Sequence, residues 1–388
     1  MSENRNGRVR MSNSVKIVPV VTEAQMDAFI TFSHRLYKGC AQYVPDMDSD
    51  VVAMFDNRKN AGLAFSEIQG FLAFDGDEVV GRVAAIVNHR ANEAWKVKNV
   101  RFGLIDFIDD PAVSAALIGA VERWGRERGM EHIQGPMGIS DFDKEGMLVE
   151  DFQLMGSMVE IYNYPYYPRH MEMLGFQKEA DWLQIRVKVP KEVPAKYARV
   201  AALSKEMFGL RVIKVSHREG KKKWGRQVME LMNDAYSPLF GFSRMSEGQI
   251  DKFLHTYVPL LDMDMVPLIV NEQNELVGAC VTLGSLSRAL QKAGGRLKHF
   301  GWFHILKSLK LKHEDMAQLL LIAVRPDMQG LGLNALFFDD LIHVYNKKGY
   351  TWAETAPQLE TNLKELSQWK PMNPEYVKRR RCWTKRID

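Results

Sequence analysis

The segment Val324-Arg325-Pro326-Asp327-Met328-Gln329-Gly330-Leu331-Gly332-Leu333-Asn334 follows an apolar run, Leu319 to Val324, and opens an amphipathic helix. A strand, a glycine loop and a helix start together make an anion site. Backbone N–H groups at the start of a helix point outward with the positive end of the helix dipole behind them, so a pyrophosphate docks there without a basic side chain. Gly330 and Gly332 let the backbone approach such a ligand closely. The alternative is an ordinary tight turn, because a G-x-G between strand and helix is a weak signal on its own. Two carboxylates are candidate bases for a proton transfer: Glu354, on a strand expected over Tyr350 to Thr355, and Glu360, just before Asn362. For Glu354 a solvated strand carboxylate is at least an equal reading. The three cysteines, Cys40, Cys280 and Cys382, lie far apart, and no His/Cys cluster has metal-ligand spacing. No metal is expected.

The elements that must position these residues read as two copies of one plan. Phe71 to Phe74 and Val79 to Ile86 flank the turn Asp75-Gly76-Asp77 and predict a hairpin. A second hairpin is expected from Pro267 to Val270 and Glu275 to Val281, around Asn271-Glu272-Gln273-Asn274. The strand ending before Pro111 matches the one ending before Pro326, 215 positions later (326 minus 111). Trp182 and Trp383 sit in the last β-like run of each copy, 201 apart (383 minus 182). Long helices are predicted over Ala112 to Gly129, and again through Leu336, Leu341 and Tyr345 to Gly349. The fold class is mixed α/β, a sheet faced by helices. The expected divisions are a disordered tail at 1–13, a first domain at 14–190, a linker at 191–194 where prolines interrupt both strand and helix, and a second domain at 195–388.

The chain resembles tandem GNAT-like proteins, of the GCN5-related N-acetyltransferase superfamily. The resemblance rests on the Gln329-Gly330-Leu331-Gly332 loop, the two hairpins, Gly135-Pro136-Met137, Asn163-Tyr164-Pro165-Tyr166-Tyr167 leading to Leu174-Gly175-Phe176, and Glu360-Thr361-Asn362. It implies two GNAT-like domains with mostly antiparallel mixed sheets. It implies acetyl-CoA as acyl donor, its pyrophosphate on Gln329, Gly330, Leu331, Gly332, Leu333 and Asn334. The pantetheine arm would pair with the backbone of Ile322 and Val324, and Asn362 would hydrogen-bond it. Asn334 departs from the family's Gly or Ala. Trp369 and Met171 stand where the family commonly places a tyrosine acid. In the first copy Asp109-Asp110-Pro111 replaces the glycine loop with carboxylates that cap a helix and repel phosphate.

A formal charge of +4 on 52 basic and 48 acidic residues argues against a protein built on nucleic-acid backbone contacts. The cysteine usage suits a reducing cytoplasm, and no apolar stretch reaches the roughly 20 residues of a membrane helix. The basic amphipathic stretch Ser285 to Lys312 lies on an anionic surface, covers the acceptor site as a lid, or packs between copies, and the near-neutral total favours the last two. Lys378-Arg379-Arg380-Arg381 reads as an anion patch or as a charged edge strand. Tyr162, Tyr164, Tyr166 and Tyr167 line a pocket or fix an irregular loop. Two functions follow. One is an acyl-CoA-dependent N-acyltransferase acting on a small amine or an amino group of a larger molecule, with the first domain shaping the acceptor site or a homodimer. The other is a non-catalytic CoA-binding sensor or scaffold. Aminoacyl transfer from a charged tRNA is disfavoured by the charge balance and the phosphate loop.

Overall fold

The computed structural model describes residues 15–297, 300–311 and 313–387. The expected tail at 1–13 lies outside the described residues, as do Lys298 and Lys312. The first half carries strands β1 (Val15–Pro19), β2 (Ser66–Asp75), β3 (Glu78–Asn88), β4 (Asn99–Phe107), β5 (His132–Gly135), β6 (Met147–Leu148) and β7 (Gln177–Lys188). The second carries β8 (Arg211–Ile213), β9 (Leu268–Val270), β10 (Leu276–Gly284), β11 (Met316–Val324), β12 (Trp352–Thr355), β13 (Gln358–Leu359) and β14 (Glu375–Arg386). They join in one mixed sheet ordered β1-β2-β3-β4-β5-β14-β7-β12-β11-β10-β9-β8, with β6 on β14 and β13 on β7. Both predicted hairpins form, and Gly76 takes φ +58 in the first turn.

The two halves exchange their last strands. From the end of the chain, β14 pairs with β5 of the first half, while β7 pairs with β12 of the second through Ala353↔Val187 and Glu354↔Arg186. The two meet as neighbours, with Arg381 opposite Asp181. This overturns the edge-strand and anion-patch readings of 378–381. β14 lies mid-sheet, and alternate residues point to opposite faces. Lys378 and Arg380 are buried against Glu160, at 3.3 and 2.7 Å, while Arg379 and Arg381 bind Asp181 on the other side at 3.1 and 2.8 Å.

Each half contains one parallel pair that starts and then parts. β4 pairs with β5 only as far as Arg101↔Gln134, and β11 with β12 only as far as Leu319↔Thr355, while β4 and β11 run on to Phe107 and Val324. A wedge opens in each half. The helices Ala195–Phe208 and Asn334–Lys348 cover one face of the second half, where Leu336 and Phe337 are fully buried. Such side chains contribute about 1.5–3 kcal/mol each. The helices Gly225–Tyr236 and Glu247–Tyr257 cover the other face. Gly349 ends its helix as expected, with φ +82. In the first half the helix is Pro111–Arg126, and Gly129, at φ +73, closes its end as expected, with Met130 N–H reaching back to Gly125 O at 3.0 Å.

Candidate functional site

After β11 the chain makes one tight turn over Pro326–Met328, passes Gly330 and Gly332, both at φ +82, and enters its helix at Asn334. No side chain caps that helix start. The glycines serve different ends. A Cβ on Gly332 would lie 2.5 Å from Val200 Cγ1, so this glycine lets helix Ala195–Phe208 pack close, whereas Gly330 faces open space. Gln329 Nε2 donates to Val324 O at 3.1 Å and closes the loop on its own strand. Ser204 Oγ donates to Leu331 O, and the Asn334 amide donates to Gln368 Oε1, tying the helix start to helix Leu363–Gln368.

The corresponding place in the first half is filled from within. Asp110 caps its helix by accepting from Ala112 N–H at 2.8 Å, and Asp109 binds Arg169 and His170 at 2.7 and 2.8 Å. The offset of 215 equates Phe107 with Ile322 (322 minus 107). Phe107 N–H donates to Tyr167 Oη at 3.1 Å, and Tyr166 Oη donates to Phe107 O at 2.5 Å. The tyrosine-rich segment thus plugs the first wedge.

In the second half one hydroxyl does both tasks. Tyr236 Oη donates to Ile322 O at 3.0 Å and accepts from Ile322 N–H at 3.3 Å. Burial pushes the Tyr236 hydroxyl above the ordinary tyrosine range. Tyr236 and Ile322 border a cavity of about 350 Å³ on the face covered by helices Gly225–Tyr236 and Glu247–Tyr257. Its wall is mostly apolar, with Val228, Met232, Leu254 and Val281 from the second half and Trp182 from the first. An engineered apolar cavity of about 150 Å³ accepts benzene. This one therefore has room for far more than an acetyl group.

Two sets of carboxylates touch the cavity. One is Glu365, which shares the wall with Asn362 and whose pKa burial raises to about 7. The Trp369 indole N–H and the Gln368 amide face this carboxyl and oppose the rise, although Glu365 Oε1 makes no hydrogen bond of standard geometry. The other set is the first-half loop carrying Asp141, Asp143 and Glu145. Burial raises all three, Asp141 to about 6, with Arg101 as the opposing charge.

The residues singled out from sequence are partly gathered here. Ile322 and Asn362 line the cavity, and Asn362 also caps its helix by accepting from Glu365 N–H at 3.4 Å. Gln329 through Asn334 form the loop between β11 and its helix, and none of them lines the cavity. The carboxylates Glu354 and Glu360 do not line the cavity. Glu354 is buried between Lys378 at 2.7 Å and Arg186 at 2.6 Å, and Glu360 is held by Lys178 and Arg379. Both fasten the strand exchange. Trp369 and Met171 are core residues, at 2% and 0% exposure. Sequence reasoning missed Glu365 and Tyr236. The only signals were three-residue spacing from Asn362 and the end of an amphipathic helix.

No family model matches the chain. Among curated proteins it is 26% identical over 372 residues to Protein YghO of Escherichia coli (strain K12), covering 93% of each chain. It is 25% identical over 319 residues to a bacterial ceramide synthase of Caulobacter vibrioides (strain NA1000 / CB15N), covering 81% of this chain and 82% of the relative. Among solved structures it superposes on a tandem GNAT protein from the clavulanic acid biosynthesis pathway with TM-score 0.56 at 11% identity, covering 97% and 99% of the two chains. The parting parallel strands in each half, the glycine loop of the second and this superposition make the chain a protein of the tandem GNAT fold.

Proposed function

We propose that the chain is an acyl-CoA-dependent N-acyltransferase that passes an acyl group longer than acetyl to an amphiphilic amine. The carrying observation is the apolar cavity of about 350 Å³ that begins at Ile322, in the one wedge whose helix start is left uncapped. The residues fit a CoA donor. The open backbone at Gly330 and the uncapped helix start suit a pyrophosphate, and the Asn362 side chain on the cavity wall is a polar group for the amides of its arm. The name of one relative points the same way, since a ceramide is the N-acyl amide of a long-chain amino alcohol.

Glu365 is the base in this reading, in place of Glu354 and Glu360. At about 7 its pKa lies where a general base works best at neutral pH. It takes a proton from the ammonium, the amine nitrogen bonds to the thioester carbon, and the carbon–sulfur bond breaks. Tyr236, whose hydroxyl holds the backbone of Ile322, gives its proton to the departing thiolate and takes the nitrogen's second proton in return. The loop of Asp141, Asp143 and Glu145 offers the ammonium carboxyls on the cavity wall, and the ammonium's charge favours the ionised form that burial opposes. A screen of acetyl- through palmitoyl-CoA against short amines and long-chain amino alcohols, with CoA release and N-acyl product both measured, tests the reading. Turnover with long partners is expected. No CoA release above background with any pair would overturn it and leave a CoA-binding sensor as the alternative.

A further inference from the structure

Between β10 and β11 the chain inserts two helices, Ser287–Ala293 and Gly301–Lys310. Residues 285–312 carry Arg288, Lys292, Arg296, Lys298, Lys307, Lys310 and Lys312 and no acidic residue. Their charge is +7, so the rest of the chain sums to −3 (4 minus 7). The chain's net positive charge thus comes from one short segment.

This segment is anchored and not loose. Gln291 Nε2 donates to Ala41 O and Tyr43 O at 2.8 and 2.9 Å, Ser287 Oγ donates to Gly156 O at 3.0 Å, and Arg296 pairs with Asp48 at 2.7 Å. Ile305 and Leu309 turn inward onto Leu286 and Leu290, and Leu309 and Leu286 form part of the cavity wall. The packing expectation holds for that inner face alone. On the outer face Trp302, Phe303 and Leu306 stand 51%, 44% and 46% exposed, flanked by Phe300 at 73% and Leu311 at 77%. Lys307 and Lys310 are exposed beside them.

We propose that this face docks on an anionic lipid bilayer. Large apolar side chains beside lysines on one side of a short helix suit the boundary between headgroups and acyl chains, where the rings enter and the ammonium groups meet lipid phosphates. No described helix is long and apolar enough to cross a membrane, so the helix lies on the surface. The opposite face of the same helix borders the cavity. Docking therefore brings the cavity to the phase in which an amphiphilic substrate dissolves. That purpose rests on the proposed function, but vesicle binding needs no catalysis, so the two fail separately.

Cosedimentation of the full chain with vesicles of phosphatidylglycerol and phosphatidylethanolamine, and separately of phosphatidylcholine alone, tests this. Pelleting with the anionic vesicles is expected, weakened by salt and at least tenfold weaker in Trp302→Glu/Phe303→Glu. Turnover of water-soluble substrates should be unaltered in that variant. Lys307→Ala and Lys310→Ala, which remove only exposed charges, should each cost roughly fivefold in partitioning. Absence of pelleting, or equal pelleting of wild type and variants, would overturn the proposal. So would self-association in light scattering that the double variant abolishes while no vesicles are bound, because the face would then belong to a second copy.

Discussion

The Tyr236 hydroxyl holds both backbone groups of Ile322, donating to its carbonyl at 3.0 Å and accepting from its N–H at 3.3 Å. At the equivalent Phe107 two tyrosines share this work, Tyr167 on the N–H and Tyr166 on the carbonyl. Both wedges thus satisfy their strand without a ligand. The second opens on the cavity of about 350 Å³. A buried backbone group left without a partner costs about 1–3 kcal/mol, so Tyr236→Phe should lower the thermal midpoint modestly. It should also cut kcat with acyl-CoA by about 100-fold. Acyl thioesters of more acidic thiols should recover much of that loss, because a better leaving group needs less proton help. Equal slowing with both kinds of thioester would assign Tyr236 a purely structural part.

Glu365 sets the expected pH dependence. Burial favours its neutral form and raises the pKa to about 7, so the ionised base accumulates only as pH rises through that value. kcat/KM should climb across neutrality and level off above it. In Glu365→Gln the inflection should vanish and the rate should fall by about 100-fold or more. An unchanged profile in that variant would move the base elsewhere.

Gly330 separates cofactor binding from folding. Substitution at Gly332 drives a side chain into Val200, but Gly330 has nothing within 4 Å of a built Cβ. Its φ of +82 is a region that Asp tolerates better than most residues. Gly330→Asp should therefore keep a thermal midpoint near wild type while placing a carboxylate against the pyrophosphate. Calorimetric titration should show CoA binding weakened at least tenfold.

Glu160 fastens the exchanged strands. Burial alone would raise its pKa, but Lys378 and Arg380 outweigh that and bring it from 4.5 to about 2. A carboxyl depressed in this way stabilises the fold fully above its unfolded value near 4.5, and that stability is lost as pH falls toward 2. Urea midpoints should drop over this window in the wild type and much less in Glu160→Gln. At neutral pH the variant should be less stable by about 3–5 kcal/mol, because two buried cations lose a shared partner. Since β7 and β14 hold both halves, a single transition is expected.

Much of the second wedge was legible because its signals are local. Turn residues placed the hairpins, Gly330 and Gly332 marked the loop, and the matched prolines Pro111 and Pro326 gave the offset that equates Phe107 with Ile322. The strand exchange was not legible. Four successive basic residues in β14 read as an edge, and only long-range pairing brings Glu160 and Glu354 to them. Glu365 carries no signal of its own in the sequence, because only the first-half loop and the helices of the second half put it on a cavity wall. Trp302 and Phe303 met the opposite fate, because their helix turns Ile305 and Leu309 inward and leaves them outside.

The central claim is tested most directly by kcat/KM against acyl-chain length, from acetyl- to palmitoyl-CoA with one long-chain amino alcohol, in the wild type and in Val228→Phe. Val228 borders the cavity on helix Gly225–Tyr236, so the added ring takes up its volume. The account predicts a steep rise with chain length in the wild type and a flattened or reversed dependence in the variant, with acetyl transfer retained. A wild-type enzyme that prefers acetyl-CoA, or a chain-length profile that Val228→Phe leaves unmoved, would contradict it.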